Sequence, residues 1–301
     1  MTRVATIPLQ RTMADAIGRS QEKLAITQVR LSTGKKATDF ADLGTEAVRN
    51  LSTHSMLAKQ QATASVAKRV GTTLDLYQGH IEMVSDTAST LRTTILAAIG
   101  TGQSAGLQAD VEAAFDQFRN SLNASEGGKP LFAGSQTGSQ PFRPMQLSDL
   151  DGLDAADAFR DDGVMAKARV DDNVDVTYGI GASQLGGKLF DAFRTLAEGG
   201  KLGSELTEDQ KTMLSRAAEQ LSQGMEEVTS VNAANGRRQA QVETLATRGE
   251  ARALVLQGVI EDNEDADLGQ VAIDLAQQKA VLEASYSVFS QLSKLSLLNY
   301  L

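Results

Sequence analysis

Nine apolar positions, Val70, Leu74, Tyr77, Ile81, Val84, Ala88, Leu91, Ile95 and Ala98, follow one another at alternating steps of four and three residues without a miss. Only a helix gathers such positions onto one seam, and four repeats correspond to roughly 45 Å of it. The seam lies in a proline-free stretch, 9–129. A second such stretch covers 145–301, and Pro130, Pro141 and Pro144 crowd the gap between them. Proline breaks helix interiors, so the chain reads as helix, irregular middle, helix. Gly71 and Gly79 lower the seam's intrinsic propensity without interrupting its pattern.

Other stripes flank it. Met13, Ile17, Leu24 and Leu31 mark a helix that ends near Gly34, and Leu107, Val111, Phe115, Phe118 and Leu122 mark another after Gly100. Toward the other end, Leu214, Ala217, Leu221, Met225, Val228 and Val231 form a stripe that Val242, Leu245, Leu256 and Ile260 extend less regularly. The last segment carries Val271, Leu275, Leu282, Phe289, Leu292, Leu295 and Leu298, and Asp265 or Asp267 can cap its first turn. In the middle, Val164, Ala166, Ala168 and Val170 alternate with other residues, as do Val174, Val176 and Tyr178. Asp171-Asp172-Asn173 stands between them as turn chemistry, which predicts a β-hairpin.

The expected fold is therefore mainly α, with long antiparallel coiled-coil helices from both termini and a small β-containing central domain. Its boundaries are a helical arm over 1–129, the small domain over 130–199, and a second arm over 200–301 packing on the first. Each stripe is too narrow to bury itself. The stripes must pair with each other, with other subunits, or with both, and that points to assembly.

Residue types argue against catalysis. There is no cysteine, and His54 and His80 are the only histidines. Disulfides, thiolate nucleophiles, iron–sulfur clusters and zinc fingers are excluded. No cofactor or metal is expected. Gly102-Gln103-Ser104-Ala105-Gly106 spells a serine-hydrolase elbow, but a helix seam precedes it and both histidines lie upstream, so a helix–helix turn is the better reading. Gly179-Ile180-Gly181 lacks the third glycine of a dinucleotide loop, and Gly186-Gly187-Lys188 lacks the first glycine and the hydroxyl of a phosphate loop. The acidic run Glu261–Asp267 puts Asp267 and Ile273 where a calcium loop needs glycine and glutamate, so it reads as a solvated, capped helix start. Asn50-Leu51-Ser52 and Asn123-Ala124-Ser125 match the glycosylation sequon by chance.

Charge is uneven. Residues 1–70 hold eleven basic and five acidic groups, while the rest is acidic, for a formal net charge of −9. The basic groups are mostly scattered singly, which favours a basic N-terminal helix pairing with an acidic C-terminal one over nucleic-acid binding. No run of 18 apolar residues exists to cross a membrane, and Met1–Gly18 has no apolar core of a Sec-type leader.

One family matches these residues. Arg30-Leu31-Ser32-Thr33-Gly34-Lys35-Lys36, followed by Asp39 and Asp42, resembles the R-L-S-S-G signature and downstream Asp pair of bacterial flagellins. Glu264-Asp265-Ala266-Asp267, Gln277, Leu282, Ala284, Ser285-Tyr286 and the closing Leu295–Leu301 resemble the family's C-terminal helix. Leu131-Phe132-Ala133-Gly134-Ser135-Gln136-Thr137 with Pro141-Phe142 is similar to the F-[SAG]-G-x-x-T…P-F stretch of members at the hook–filament junction. The asparagine-rich segment usual in filament flagellins is missing, and Leu91-Arg92 departs from the motif that innate immune receptors read.

The resemblance implies a non-enzymatic structural subunit needed for motility, joining hook to filament, with filament flagellin as the alternative and a secreted coiled-coil adaptor as a more remote one. It implies paired terminal helices lining an inner tube, with an outward-facing insert. It also implies secretion, with a flagellar type III apparatus and an export chaperone, to an extracellular flagellum. The partners it implies are copies of itself, hook-associated proteins and flagellin, with no nucleic acid and no membrane insertion. Met13, Ile17, Leu24, Leu31, Leu275, Leu282, Phe289, Leu292, Leu295 and Leu298 are the residues expected at subunit contacts.

Overall fold

A computed structural model describes the backbone of residues 3–298 and the side chains of Pro8 and residues 11–291. Long helices occupy most of both proline-free stretches. Helix α1 spans Arg3–Thr33, α2 Ala47–Thr101 and α3 Leu107–Leu122; α6 spans Glu208–Glu264 and α7 Leu268–Leu298. Between them come strands β1 (Ser125–Glu126) and β2 (Lys129–Pro130), the one-turn α4 (Ala155–Ala158), strands β3 (Ala166–Asp171) and β4 (Val174–Tyr178), and α5 (Ala182–Glu198). The mainly α fold with a small β-containing middle is the observed one. The chain divides into two compact units, residues 1–59 with 252–301, and residues 60–251; α2 and α6 contribute to both.

The larger unit, 60–251, carries a deep core. All nine seam positions from Val70 to Ala98 are buried, and they share one apolar cluster with Leu214, Ala217, Leu221, Val228, Val231 and Val242 of α6. The two helices run antiparallel within this unit. Asn235 Nδ2 donates to the Leu74 carbonyl (3.0 Å), Gln239 Nε2 donates to Asp75 Oδ1 (2.9 Å), and Lys68 pairs with Glu250 (2.5 Å). The long heptad seam is thus satisfied inside one chain.

Phenylalanines fill the other side. Phe115 and Phe118 of α3, Phe142 and Phe159 of the connecting segment, and Phe190 and Phe193 of α5 meet with centroids 5.0–6.4 Å apart. Clustering them recovers, in one place, the large apolar area that a chain with 4% aromatics can offer. The hairpin forms where the alternation predicts it. Asp171 pairs with Val174 across a two-residue turn, Asn173 takes φ 57°, and Arg169 binds Asp175 across the strands at 2.9 Å.

The hydrolase-like segment is the turn between α2 and α3. Ser104 is buried, and its hydroxyl donates to the Gly203 carbonyl. That commits its proton to the backbone. Gly186 and Gly187 lie inside α5, where a side chain on Gly186 would meet Phe118 at 2.8 Å. Both sequon asparagines serve the fold: Asn50 is fully buried, and the Asn123 side chain bonds the Phe142 backbone at both its ends.

The smaller unit, 1–59 with 252–301, is built differently. Helix α1 packs along α7. Its buried apolar side chains, among the described residues, are Ile17, Leu57, Ile260 and Val271.

Candidate assembly site at the paired chain ends

The residues of the R-L-S-T-G-K-K segment build a helix stop. Gly34 takes φ 70°, the left-handed conformation that glycine adopts without penalty, and its N–H bonds the Arg30 carbonyl at 2.9 Å. Ser32 and Thr33 hydroxyls both donate to the Val29 carbonyl at 2.9 Å. Asp39 precedes a 3₁₀ segment, Phe40–Glu46, and accepts from the Asp42 N–H through its carbonyl at 3.0 Å.

This stop meets the acidic run. Lys35 and Asp265 form an antiparallel backbone bridge, with Lys36 N–H donating to the Glu264 carbonyl (2.6 Å) and Ala266 N–H to the Gly34 carbonyl (2.8 Å). Lys35 Nζ lies 2.6 Å from Asp265 and 3.3 Å from Glu264, and Lys36 Nζ donates to the Asp262 carbonyl. Glu264 also accepts from Asn50 Nδ2 at 2.6 Å and lies 2.5 Å from His54 Nε2. Glu261, Asp262, Asp265 and Asp267 stay exposed, as a solvated, capped helix start requires, while Glu264 is half-buried and lies against His54 of α2. Of the two candidate caps, Asp267 caps α7 through the N–H groups of Gly269 and Gln270, while Asp265 faces Lys35.

Charge states follow from these contacts. Burial alone would push the Glu264 carboxyl up, but hydrogen bonds from His54, Asn50 and Lys35 together hold it below its ordinary value. The Asp265 hydrogen bond, opposed by slight burial, raises the Lys35 ammonium. Lys35, Ala37, Thr38, Asp39, Phe40 and Leu43, with Glu264, line a small open cleft of about 270 Å³ beside this junction.

From the junction, α1 and α7 run side by side in opposite directions; Gln21 donates to the Tyr286 hydroxyl farther along. Ile17 is buried and Met13 and Leu24 are half-buried on α1, while Leu275, Leu282 and Phe289 are half-buried on α7. Thr27 and Ser20 complete the α1 pattern, and Gln278 and Ser285 that of α7, so each helix presents one side at four-and-three spacing. Leu31 stays exposed. The side chains of Leu292, Leu295 and Leu298 lie outside the described residues, as do Asn299, Tyr300 and Leu301.

The second family segment lies in the larger unit. Phe132, Pro141 and Phe142 are buried there, and Tyr77 donates its hydroxyl to the Leu131 carbonyl at 2.7 Å. Burial, with Tyr178 nearby, pushes that phenol up to about 12, so it remains a donor. Gly134 takes φ 67°, and a side chain there would strike Asp162. The Asp162 carboxylate accepts from Ser135 N–H and Val164 N–H, each at 3.0 Å, and from the Ser135 hydroxyl. These bonds, the Ser135 hydroxyl foremost, hold its carboxyl down to about 2. These contacts fix the course of the loop that carries the segment.

Surface composition separates the two units. Of nineteen large apolar side chains exposed among the described residues, fourteen belong to the smaller unit. That unit carries twelve basic and twelve acidic groups, whereas residues 60–251 carry seventeen and twenty-six. The smaller unit thus carries most of the exposed large apolar side chains and no formal net charge. The fold is that of a mainly helical protein whose two chain ends pair along α1 and α7.

Comparison with known proteins gives that class its particulars. Residues 4–137 match the bacterial flagellin N-terminal helical region. The fold is similar to that of a protein from Vibrio parahaemolyticus assigned as flagellar hook-associated, with TM-score 0.61, 16% identity, and coverage of 74% of this chain and 100% of the other. It is also similar to Bacillus cereus FlgL (TM-score 0.58, 13% identity, 70% and 99% covered) and Xanthomonas campestris FlgL (0.56, 10%, 69% and 99%). No curated protein matches in sequence. The chain is thus flagellin-like over residues 4–137 and similar in fold to flagellar hook-associated proteins.

Proposed function

We propose that this protein is a structural subunit of the bacterial flagellum that joins hook to filament, assembling through its terminal helices and needed for motility. The observation that carries the reading is the concentration of exposed apolar side chains on the unit formed by both chain ends. Burying a fully exposed Leu, Ile or Val contributes about 1.5–3 kcal/mol, and the side chains there, already partly covered, gain the remaining fraction of it. Several such side chains offset the entropy of ordering two helices. The F-A-G-S-Q-T…P-F segment and the likeness to hook-associated folds support the junction position. In this reading the partners are copies of the chain and other axial subunits, hook-associated proteins and flagellin among them. Export runs through the flagellar type III apparatus with a chaperone, and residues 130–199 face outward from the extracellular structure.

Electron microscopy of a deletion strain tests the position. Loss of a junction protein leaves hooks without filaments and flagellin shed into the medium. Complete hooks still bearing a junction, with only a filament missing, would make filament flagellin the better assignment. Removal of residues 268–301 tests the mode of assembly: the truncated chain should stay soluble and be absent from flagella.

A further inference from the structure

Glycine follows an aspartate or asparagine at three places, Asp151-Gly152, Asp162-Gly163 and Asn235-Gly236. With no side chain on the glycine, its backbone nitrogen can reach the preceding carboxyl or amide carbon and close a succinimide ring. Closure needs a peptide plane that can turn and a side chain that is not tied down. The fold treats the three pairs differently. Asn235 is fully buried in the interior of α6, its Nδ2 donating to the Leu74 carbonyl at 3.0 Å and to Gln78 Oε1 at 3.3 Å. Turning its peptide plane would break helix hydrogen bonds. The Asp162 carboxylate is pinned: Oδ1 accepts from Ser135 N–H and Val164 N–H, each at 3.0 Å, and Oδ2 accepts from the Ser135 hydroxyl. Asp151 has neither restraint. It and Gly152 are exposed, and its carboxylate has no hydrogen-bond or ion-pair partner among the described residues. They are the central residues of a turn, with Asp151 at φ −62°, ψ 115°, Gly152 at φ 66°, and the Leu153 N–H donating to the Leu150 carbonyl at 3.1 Å. This is type II geometry, which differs from type I by a rotation of the central peptide plane, and glycine at the second position takes both. That rotation can carry Gly152 N past the Asp151 carboxyl carbon.

We infer that Asp151 is a modification site, where the folded chain isomerises to isoaspartate. Gly152 N bonds to Asp151 Cγ as a Cγ–O bond breaks, and that oxygen leaves as water with the carboxyl proton and the amide proton. Water then opens the ring. Attack at Cγ restores aspartate. Attack at the main-chain carbonyl breaks its bond to Gly152 N, so the chain runs on through the side-chain carboxyl and the α-carboxylate is set free in solvent. One water is lost and one regained, and the mass is unchanged. Loss of the oxygen needs a protonated carboxyl, so the bonds that hold the Asp162 carboxyl down to about 2 oppose the same step there. The product puts an extra methylene into the backbone between Leu150 and Leu153. Just before the turn, the 3₁₀ segment Leu147–Leu150 packs on α5 with Leu147 and Leu150 buried, and just after it the Leu153 carbonyl accepts from Arg194 of α5 at 3.4 Å. Isomerisation therefore loosens this segment from α5.

Peptide mapping with electron-transfer fragmentation, which tells isoaspartate from aspartate at equal mass, tests this on the full-length protein aged in mildly acidic buffer, both folded and in urea. In the folded protein isoaspartate should form about tenfold or more faster at position 151 than at 162, the factor that one hydrogen bond to a charged group is worth. In urea the two Asp-Gly pairs should react at similar rates, because the difference belongs to the fold. Asp151→Glu, whose longer side chain closes its ring far more slowly, should abolish the product at 151 with helicity unchanged by circular dichroism. Amide exchange at Leu153 should be faster in the isomerised fraction than in the intact one. Equal rates at 151 and 162 in the folded protein overturn the inference. So does a folded chain in which 151 stays aspartate, whether or not urea makes it react.

Discussion

Lys35 and Asp265, 230 positions apart in the chain, share an antiparallel backbone bridge and a 2.6 Å ion pair. This contact sets the end of α1 against the start of α7. It makes one junction of the two most family-like segments. Lys35 is 42% and Asp265 48% exposed in their side chains, so solvent screens the ion pair and the backbone bonds supply the register.

Glu264 is the better-buried member, with a side chain 17% exposed. Glu264→Gln removes the charge that Asn50, His54 and Lys35 converge on. Hydrogen bonds to a charged group contribute about 1.5–3 kcal/mol, and part is retained by the amide. Exchange of the Lys36 and Ala266 amides should accelerate about tenfold, with the amides of Leu74 to Leu91 unchanged. Equal exchange at Lys36 and Ala266 in both proteins would show that Glu264 does not hold the junction.

The same junction sets a pH window. Glu264 has a depressed carboxyl pKa, so its contribution is fully present above its ordinary 4.5 and is lost as pH falls through the folded value. Lys35 has a raised one, so its contribution is present below its ordinary 10.5 and is lost as pH rises through the folded value. Protection of the Lys36 and Ala266 amides should therefore be greatest between about pH 4.5 and 10.5 and fall on either side. Amide exchange corrected for its intrinsic pH dependence, or a nitroxide pair at positions 38 and 262, measures this; a flat profile down to pH 3 would contradict it.

In the larger unit, Gly134→Ala adds a side chain where φ is 67° and Asp162 is in the way. Left-handed backbone costs about 1–2 kcal/mol, and Asp162 must move aside to admit the methyl group. Chemical denaturation should show a loss of about 1–2 kcal/mol. A loss under 1 kcal/mol would mean that the loop shifts freely.

Phe142→Ala empties the centre of the phenylalanine cluster, where Phe115, Phe118, Phe159 and Phe190 all face it. A buried Phe→Ala change costs about 3–5 kcal/mol. The unfolding transition of residues 60–251 should drop by that amount while exchange at the Lys35–Asp265 bridge is unaffected.

What the sequence discloses follows its range of action. The seam Val70–Ala98 is legible because periodic burial writes itself into neighbouring residues, and the hairpin is legible because strand alternation and the Asp172-Asn173 turn are local. The clasp of Lys35 by Glu264 and Asp265 is not, since no local pattern joins positions so distant. His54 likewise carries no signal without Glu264. The side of α7 that meets α1 is obscured by apolar residues on two faces, as Leu282 and Val281 stand next to each other. The phenylalanines from 115 to 193 become a cluster only through loops whose course periodicity does not describe.

The most direct measurement compares amide hydrogen exchange of the full-length protein in dilute solution and within isolated flagella. Residues 3–33 and 268–298 should exchange rapidly when free and become protected on assembly, while 70–98 and 214–231 are protected in both. Equal protection of 3–33 and 268–298 in the two states would contradict assembly through the chain ends.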